Sequence, residues 1–338
     1  MPIDLRPVGT TTLKISALGV GGAPLGGNFS NVSHNDGLDV VNAAFDAGIS
    51  FVDTAPFYGF GRSERAVGDA IRGRDYTLST KVGRMLVPGA HPNPFAEAGM
   101  NDPLPFHPVY DYTYDGVMRS FEDSKQRLGL DRIDILLAHD IGEMQHGAEL
   151  NARYFKELTD GGYKAMDELR RNGDVHAIGL GVNESAICMA ALDIGDWDTF
   201  LLAGRYTLLE QDPLDDLIPA CTDKGTTLII GGPFNSGILV GRESWNYAKA
   251  PPEIAQKVKK IDDICADHGA ELAVAALQFP LAHPVVCSVV PGARNGNEMQ
   301  GILNWAAAST PSGLWSDLQS AELIHPDAPV PSGDPILT

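Results

Sequence analysis

Short apolar runs of strand character alternate with amphipathic helical stretches along nearly the whole chain, and this alternation limits the fold more than any other feature. The runs occupy residues 17–20, 49–52, 76–80, 133–138, 175–180, 199–202, 226–230 and 285–290. Between them lie helical patterns. Ser33 reads as an N-cap with Asp36 three residues on. Leu38, Val41, Ala44 and Phe45 then share one face, and Gly48 ends the helix. Further helices are expected over 63–71, 113–128, 163–171 with Gly173 as terminator, 184–192, 214–224, 254–268 and 297–306. Near-continuous apolar strands separated by amphipathic helices indicate a parallel sheet buried on both faces. Eight such units favour a closed (β/α)8 TIM barrel of the α/β class over an open sheet.

The remaining segments fit around that barrel. Residues 1–15 alternate around Gly9-Thr10 and predict an N-terminal β-hairpin. Residues 86–110 are rich in Pro and aromatics without a clear period, so they predict a long loop over the C-terminal face. Residues 311–338 are Pro- and Asp-rich and predict an irregular tail. With no linker-like shift in composition, residues 1–338 read as a single barrel domain.

The formal charge of −19 repels nucleic acid and anionic lipid and argues against both as partners. The expected partner is a small-molecule substrate. Four cysteines, Cys188, Cys221, Cys265 and Cys287, show no CxxC spacing and suit a reducing compartment. No apolar run reaches membrane-spanning length and the start of the chain lacks an apolar leader core, so the expectation is a soluble, cytoplasmic protein.

In such a barrel the chemistry comes from the C-terminal ends of strands. Asp53 follows ISFV, Lys81 follows YTLST, His139 follows IDILLA, Asn183 follows HAIGLGV, and Tyr58 lies in the loop TAPFYGFGRSE. Each has an ordinary structural reading. Asp53 could cap a helix, Tyr58 could be a packed loop aromatic and His139 a satisfied core histidine. Lys81 is the exception, because lysine rarely sits unpaired in a barrel mouth. Together the four types can make one proton-transfer site. A tyrosine hydroxyl near its ordinary pKa of ~10 is a poor acid or base at neutral pH, and a nearby ammonium would favour the phenolate. The roles follow: Tyr58 is the acid/base, Lys81 tunes it, Asp53 anchors Lys81, and His139 orients the substrate oxygen. No HxH or His–carboxylate set stands at strand ends, so no metal is expected. No GxGxxG opens a helix after the first strand, so a Rossmann site is not expected either. The phosphate site of a barrel lies after its seventh and eighth strands. The segments there are Gly232, Pro233, Phe234, Asn235, Ser236 and Gly237, and Pro291, Gly292, Ala293 and Arg294.

These residues carry a family resemblance over essentially the whole chain. FVDTAPFYGFGRSERAVGDAI, TKVGR, SFEDSKQRLGLDRIDILLAHD, GDVHAIGLGVNES and VVPGAR resemble the signature segments of the aldo-keto reductases. The resemblance implies that Asp53, Tyr58, Lys81 and His139 fill the family's catalytic tetrad and that Asn183 binds the nicotinamide carboxamide. Within the family, DYTYDGVMRSFEDS, IGLGVNE, LLAGRYTLLEQ and GGPFNSGIL are similar to the D-threo-aldose 1-dehydrogenase (L-fucose dehydrogenase) branch, to which pyridoxal 4-dehydrogenases are also similar. That implies oxidation of a sugar hemiacetal to a lactone. The alternatives are oxidation of pyridoxal, general NADPH-dependent carbonyl reduction, or a regulatory subunit on the same fold. Two departures stand out. Gly231 occupies the position where many members stack an aromatic on the nicotinamide, leaving Phe234 or Tyr206 as substitutes. Ala203-Gly204-Arg205-Tyr206 stands where many place a glutamine. Phe57, Arg205 and Tyr206 are the candidate substrate contacts. Glu298 falls where NADP-dependent members carry a basic residue, which favours NAD; Arg294 nearby is the residue that would serve NADP.

Overall fold

The computed structural model describes residues 3–28, 30–93, 95 and 99–338. Residues 1 and 2 of the expected hairpin segment, and residues 94 and 96–98 of the expected loop, lie outside the described residues.

Eight parallel strands make the central sheet in the order of a barrel: β3 (Gly19–Gly21), β4 (Phe51–Asp53), β5 (Thr77–Val82), β8 (Ile135–His139), β9 (Ala177–Val182), β10 (Thr199–Ala203), β11 (Thr227–Gly231) and β14 (Val286–Val290). Parallel bridges Leu18↔Val289 and Gly21↔Gly292 bring the last strand back to the first. Helices lie between consecutive strands, as the alternation predicts. The helix His34–Asp46 shows the local logic. Ser33 and Asp36 form a reciprocal capping box, and Val40, Val41 and Ala44 are buried against the sheet.

Alternation within the strands divides the core in two. One set of side chains packs outward against the helices, forming the larger cluster. The other set fills the barrel: Phe51, Ile135, Leu137, Ala177, Leu201, Ile229, Cys287 and Val290, with Val8 and Ile15 from the hairpin. The hairpin, β1 (Leu5–Pro7) antiparallel to β2 (Lys14–Ser16), plugs the N-terminal end of the barrel. Arg6 pins it by donating to the carbonyls of Leu281 and Val286. With that end closed by apolar packing, polar groups gather at the other end.

Three segments differ from expectation. The stretch read as loop holds a two-stranded ribbon, β6 (Arg84–Pro88) antiparallel to β7 (Phe106–Tyr110). Pro88 and Pro108 mask its period, yet an isolated ribbon tolerates proline because half of its amides face no partner strand. Leu86 and Met100 pack there with Phe60, Phe57 and Phe106 as a small roof cluster. The tail is not wholly irregular: Ser312–Ser320 is a helix that buries Leu314, Trp315 and Leu318. A second ribbon, β12 (Ser244–Trp245) with β13 (Ala248–Lys249), follows the seventh strand. Its tip residues Asn246 and Tyr247 both have positive φ, 47° and 62°, as a type I′ turn requires. Among the described residues no helix is long and apolar enough to cross a membrane.

Candidate active site

The two-residue period that places Phe51, Ile135 and Leu137 inside the barrel also places Asp53, Lys81 and His139 inside it, one layer higher. Lys81 is 1% exposed. Its Nζ donates to Asp53 Oδ2 at 2.7 Å and to the Thr54 carbonyl at 2.9 Å. Asp53 Oδ1 accepts from the Ser79 hydroxyl at 2.7 Å. Burial pushes the Asp53 carboxyl up, while the charge and hydrogen bond of Lys81 pull it back. Gly181 makes room for this pair: a Cβ there would stand 2.9 Å from Lys81 Cε.

The Lys81 ammonium lies over the Tyr58 ring, 4.8 Å from its centroid. The rings of Tyr58 and His139 meet edge to face at 5.6 Å. Geometry thus gathers Asp53, Tyr58, Lys81 and His139 in one mouth, but it reverses the expected electrostatics. The Tyr58 hydroxyl is pushed well above its ordinary range, first by burial and then by the Asp53 and Asp140 carboxylates, with Arg84 opposing. The physical reason is first that the hydroxyl is buried, which disfavours the phenolate, and then that the Asp53 and Asp140 carboxylates repel it, with Lys81 itself held by Asp53 at hydrogen-bond distance. Tyr58 therefore holds its proton at neutral pH. His139 goes the other way. Burial, then Arg84 and Lys81, hold its imidazole well below the ordinary range, so it is neutral. Its Nδ1 is buried without a hydrogen-bond partner among the described residues.

Three residues that the sequence reading passed over complete the mouth. Arg84, 1% exposed, places its guanidinium 4.1 Å over the Phe57 ring and donates to Asp140 Oδ2 at 2.6 Å. Asp140 in turn accepts from Asn183 Nδ2 at 3.1 Å and lies 3.5 Å from His139 Nε2. The Tyr247 hydroxyl reaches Asn183 Oδ1 at 3.2 Å. Arg84 and Asp140 stood in the motifs TKVGR and LLAHD, and Asn246 offered a turn signal. Their meeting depends on long-range register. Asp140, Asn183, Arg205 and Tyr247 line a cavity of about 160 Å³ beside the tetrad.

The expected substrate contacts part company. Phe57 sits at the mouth, edge-on to His139 at 6.1 Å. Arg205 lines the cavity while gripping the Asn183 carbonyl, Glu210 and Asn246. Tyr206 does not face the mouth as expected: its ring is fully buried against Phe279 and His283, which leaves it no surface toward the cavity. Nor does it or Phe234 replace the aromatic absent at Gly231, because the Phe234 ring packs on Trp305 at 5.6 Å.

The loop after the seventh strand is shaped for close approach. Gly232, Asn235, Ser236 and Gly237 all have positive φ. A Cβ on Gly232 would meet nothing nearer than 3.9 Å, so the missing side chain leaves open space at the backbone. A phosphate fits such a cradle, and the buried, unpartnered Asn235 Oδ1 marks the same loop. Asn235 Nδ2 ties the loop to the Gly204 carbonyl and to Glu210. After the eighth strand, Gly292 packs against Pro24 and Gly21 where a Cβ would collide, which fixes the course of Pro291, Ala293 and Arg294. Arg294 donates through Nε and its backbone N–H to Glu298, at 2.8 and 2.9 Å. Arg242 adds a second guanidinium 3.6 Å from Glu298. Residues 238–242 continue into a groove of about 970 Å³ that Trp305 also lines, away from the tetrad. The loops after the last two strands, with their glycine cradle and backbone N–H groups, would hold the phosphates of a nicotinamide dinucleotide.

Known proteins share this chain's sequence pattern and fold. The chain is 42% identical over 336 residues to a pyridoxal 4-dehydrogenase from Microbacterium luteolum, covering 95% of this chain and 98% of that one. It is 36% identical over 323 residues to a D-threo-aldose 1-dehydrogenase from a Pseudomonas species, covering 92% and 95%. In structure it resembles the holo form of an aldo-keto reductase from Bacillus halodurans, with a TM-score of 0.76, 21% identity, and 98% and 99% of the two chains covered. The model of the aldo/keto reductase family matches residues 17–322, and the chain belongs to that family.

Proposed function

We propose that this enzyme oxidises the hemiacetal carbon of an aldose to a lactone, passing hydride to a nicotinamide cofactor, with NAD preferred over NADP. The supporting observation is the meeting of Tyr58, His139 and the Lys81–Asp53 pair in one mouth beside a cavity suited to a small polar ligand. The cofactor, when bound, supplies the hydride acceptor. The chain's own residues handle the proton. Tyr58 exchanges the hydroxyl proton of the substrate, and His139, neutral and buried, orients the substrate oxygen. Lys81 positions the Tyr58 ring, and Asp53 holds Lys81. Because Tyr58 retains its proton at neutral pH, it is ready as an acid for carbonyl reduction, and oxidation gains as pH rises.

Asn183 is the residue for the nicotinamide carboxamide, and residues Gly231–Gly237 with Pro291–Arg294 hold the phosphates. NAD is favoured because Glu298 already neutralises Arg294 and faces Arg242. The guanidinium of Arg294 holds the Glu298 carboxyl below its usual range, so it stays charged, repels a 2′-phosphate and can accept from a ribose hydroxyl. One relative supports a second reading: the greater identity is to a pyridoxal dehydrogenase, and pyridoxal also closes to a cyclic hemiacetal. A screen of NAD reduction over L-fucose, D-arabinose, L-galactose, D-galactose, L-xylose and pyridoxal decides between the two. Turnover of an aldose supports the first reading. Turnover of pyridoxal alone selects the second, and turnover of none contradicts both.

A further inference from the structure

Asp140 is placed where three site elements converge. It directly follows His139 at the end of β8, and it holds a backbone φ of 45°, in the left-handed region that a non-glycine residue rarely enters. Its N–H donates to the Gly181 carbonyl on the next strand at 2.8 Å. The turn sends its carboxylate back across the strand ends. There Oδ2 accepts from Arg84 at 2.6 Å and Oδ1 accepts from Asn183 Nδ2 at 3.1 Å. Arg84 is in turn buried and stacked on Phe57, with Tyr110 on another side at 5.3 Å, so its fork is fixed in direction. A flexible lysine could not hold this position, because it lacks the planar group that both stacks and donates.

A carboxylate accepts hydrogen bonds and donates none, so the Asn183 atom that faces it must be the amide nitrogen. That leaves Asn183 Oδ1 turned toward the cavity, where the Tyr247 hydroxyl now meets it. We infer that the Arg84–Asp140 pair is a positioning device that fixes the amide of Asn183 with its carbonyl oxygen toward the cofactor's carboxamide. The inference rests on the reading of Asn183 given above. A carboxamide N–H₂ needs an acceptor, and a flipped Asn183 would offer it a second donor instead. Asp140 is the partner of the Asn183 amide nitrogen; Tyr247 supports the same orientation from the cavity side by donating to Oδ1, and Arg205 contacts only the backbone carbonyl.

The test is a double-mutant cycle read as binding. NADH and NADPH are titrated by protein fluorescence against wild type, Asn183→Ala, Asp140→Ala and the double variant. Asn183→Ala should raise the Kd of the tighter ligand about tenfold, the loss of one hydrogen bond. Asp140→Ala should raise it by a similar factor, and the double variant by no more than either single one. Should Asp140→Ala not fold, the paired replacement Arg84→Met with Asp140→Leu leaves no buried charge unmatched, and it should bind as weakly as Asn183→Ala. A normal Kd in Asp140→Ala or in the paired variant, beside a weakened Asn183→Ala, overturns the inference and leaves the reading of Asn183 intact. Multiplying effects in the double variant overturn it as well. A normal Kd in Asn183→Ala overturns the reading of Asn183 itself.

Discussion

Replacing Gly181 by alanine should damage catalysis while sparing the fold. An alanine Cβ would lie 2.9 Å from Lys81 Cε and 3.2 Å from Cδ. Carbon atoms pack at about 3.5–4.0 Å, so the lysine stem must move by more than half an ångström, roughly. Its ammonium is held by Asp53 at 2.7 Å and by the Thr54 carbonyl at 2.9 Å. A shift of that size carries one or both bonds past the useful range of about 3.2 Å. One extra methyl in a packed interior costs ~1–3 kcal/mol. Expressed in the transition state, that is roughly 10- to 100-fold in kcat/KM. The assay is steady-state NAD reduction with the best substrate of the screen, alongside thermal melting and NADH titration. The expected result is the loss in kcat/KM with an unchanged NADH Kd and a melting point lowered by a few degrees. Gly179→Ala is the contrast. Its Cβ would fall 1.6 Å from the Thr199 carbonyl oxygen, so that variant should lose the fold rather than the activity alone. Wild-type kcat/KM in a folded Gly181→Ala protein would refute the claim that the Lys81 geometry matters.

Three further outcomes are expected. Glu298→Gln frees Arg294 and Arg242 from a carboxylate, so kcat/KM for NADP relative to NAD should rise about tenfold, the scale of one charge-assisted hydrogen bond; an unchanged ratio contradicts the cofactor assignment. Because Tyr58 is raised above its ordinary 10, log kcat/KM for oxidation should climb with pH throughout the range below 10, whereas reduction should not; a plateau near neutrality places the proton elsewhere. His139 is held below its ordinary 6.5 by burial, so below pH 6.5 the unfolded chain takes up a proton that the folded site refuses. Stability is therefore full above that pH and falls as pH drops toward the folded pKa, by up to about 1.4 kcal/mol per pH unit for one such group. Denaturant melts of His139→Asn at pH 5.5 and 7 should show a smaller loss than wild type, and equal losses would contradict a buried neutral imidazole.

The barrel was legible because each strand is buried on both faces and each helix on one, so the pattern repeats eight times. The tetrad was legible for a related reason. A polar residue continuing the inward phase of an apolar strand, as Asp53, Lys81 and His139 do, has nowhere to go but the mouth. Arg84 and Asp140 could not be read the same way. Arg84 opens a ribbon whose pairing depends on residues twenty-odd positions away, and Asp140 owes its role to a left-handed turn. Tyr206 misled because an aromatic after an inward strand end looks like a pocket residue. Only the packing of Phe279 and His283 shows that it belongs to the shell. The direction of the Tyr58 shift is not legible in sequence, which shows a lysine nearby but neither how deeply the hydroxyl is buried nor that the Asp53 and Asp140 carboxylates face it. The helix Ser312–Ser320 was hidden among prolines, although Leu314, Trp315 and Leu318 carry its buried face.

Proton transfer through the Tyr58 hydroxyl is tested most directly by Tyr58→Phe, a change that removes one oxygen and keeps the ring beneath Lys81. Single-turnover NAD reduction by this variant should slow by about 100- to 10,000-fold, with the NADH Kd and melting point at wild-type values. A rate within a few-fold of wild type would show that the proton leaves by another route.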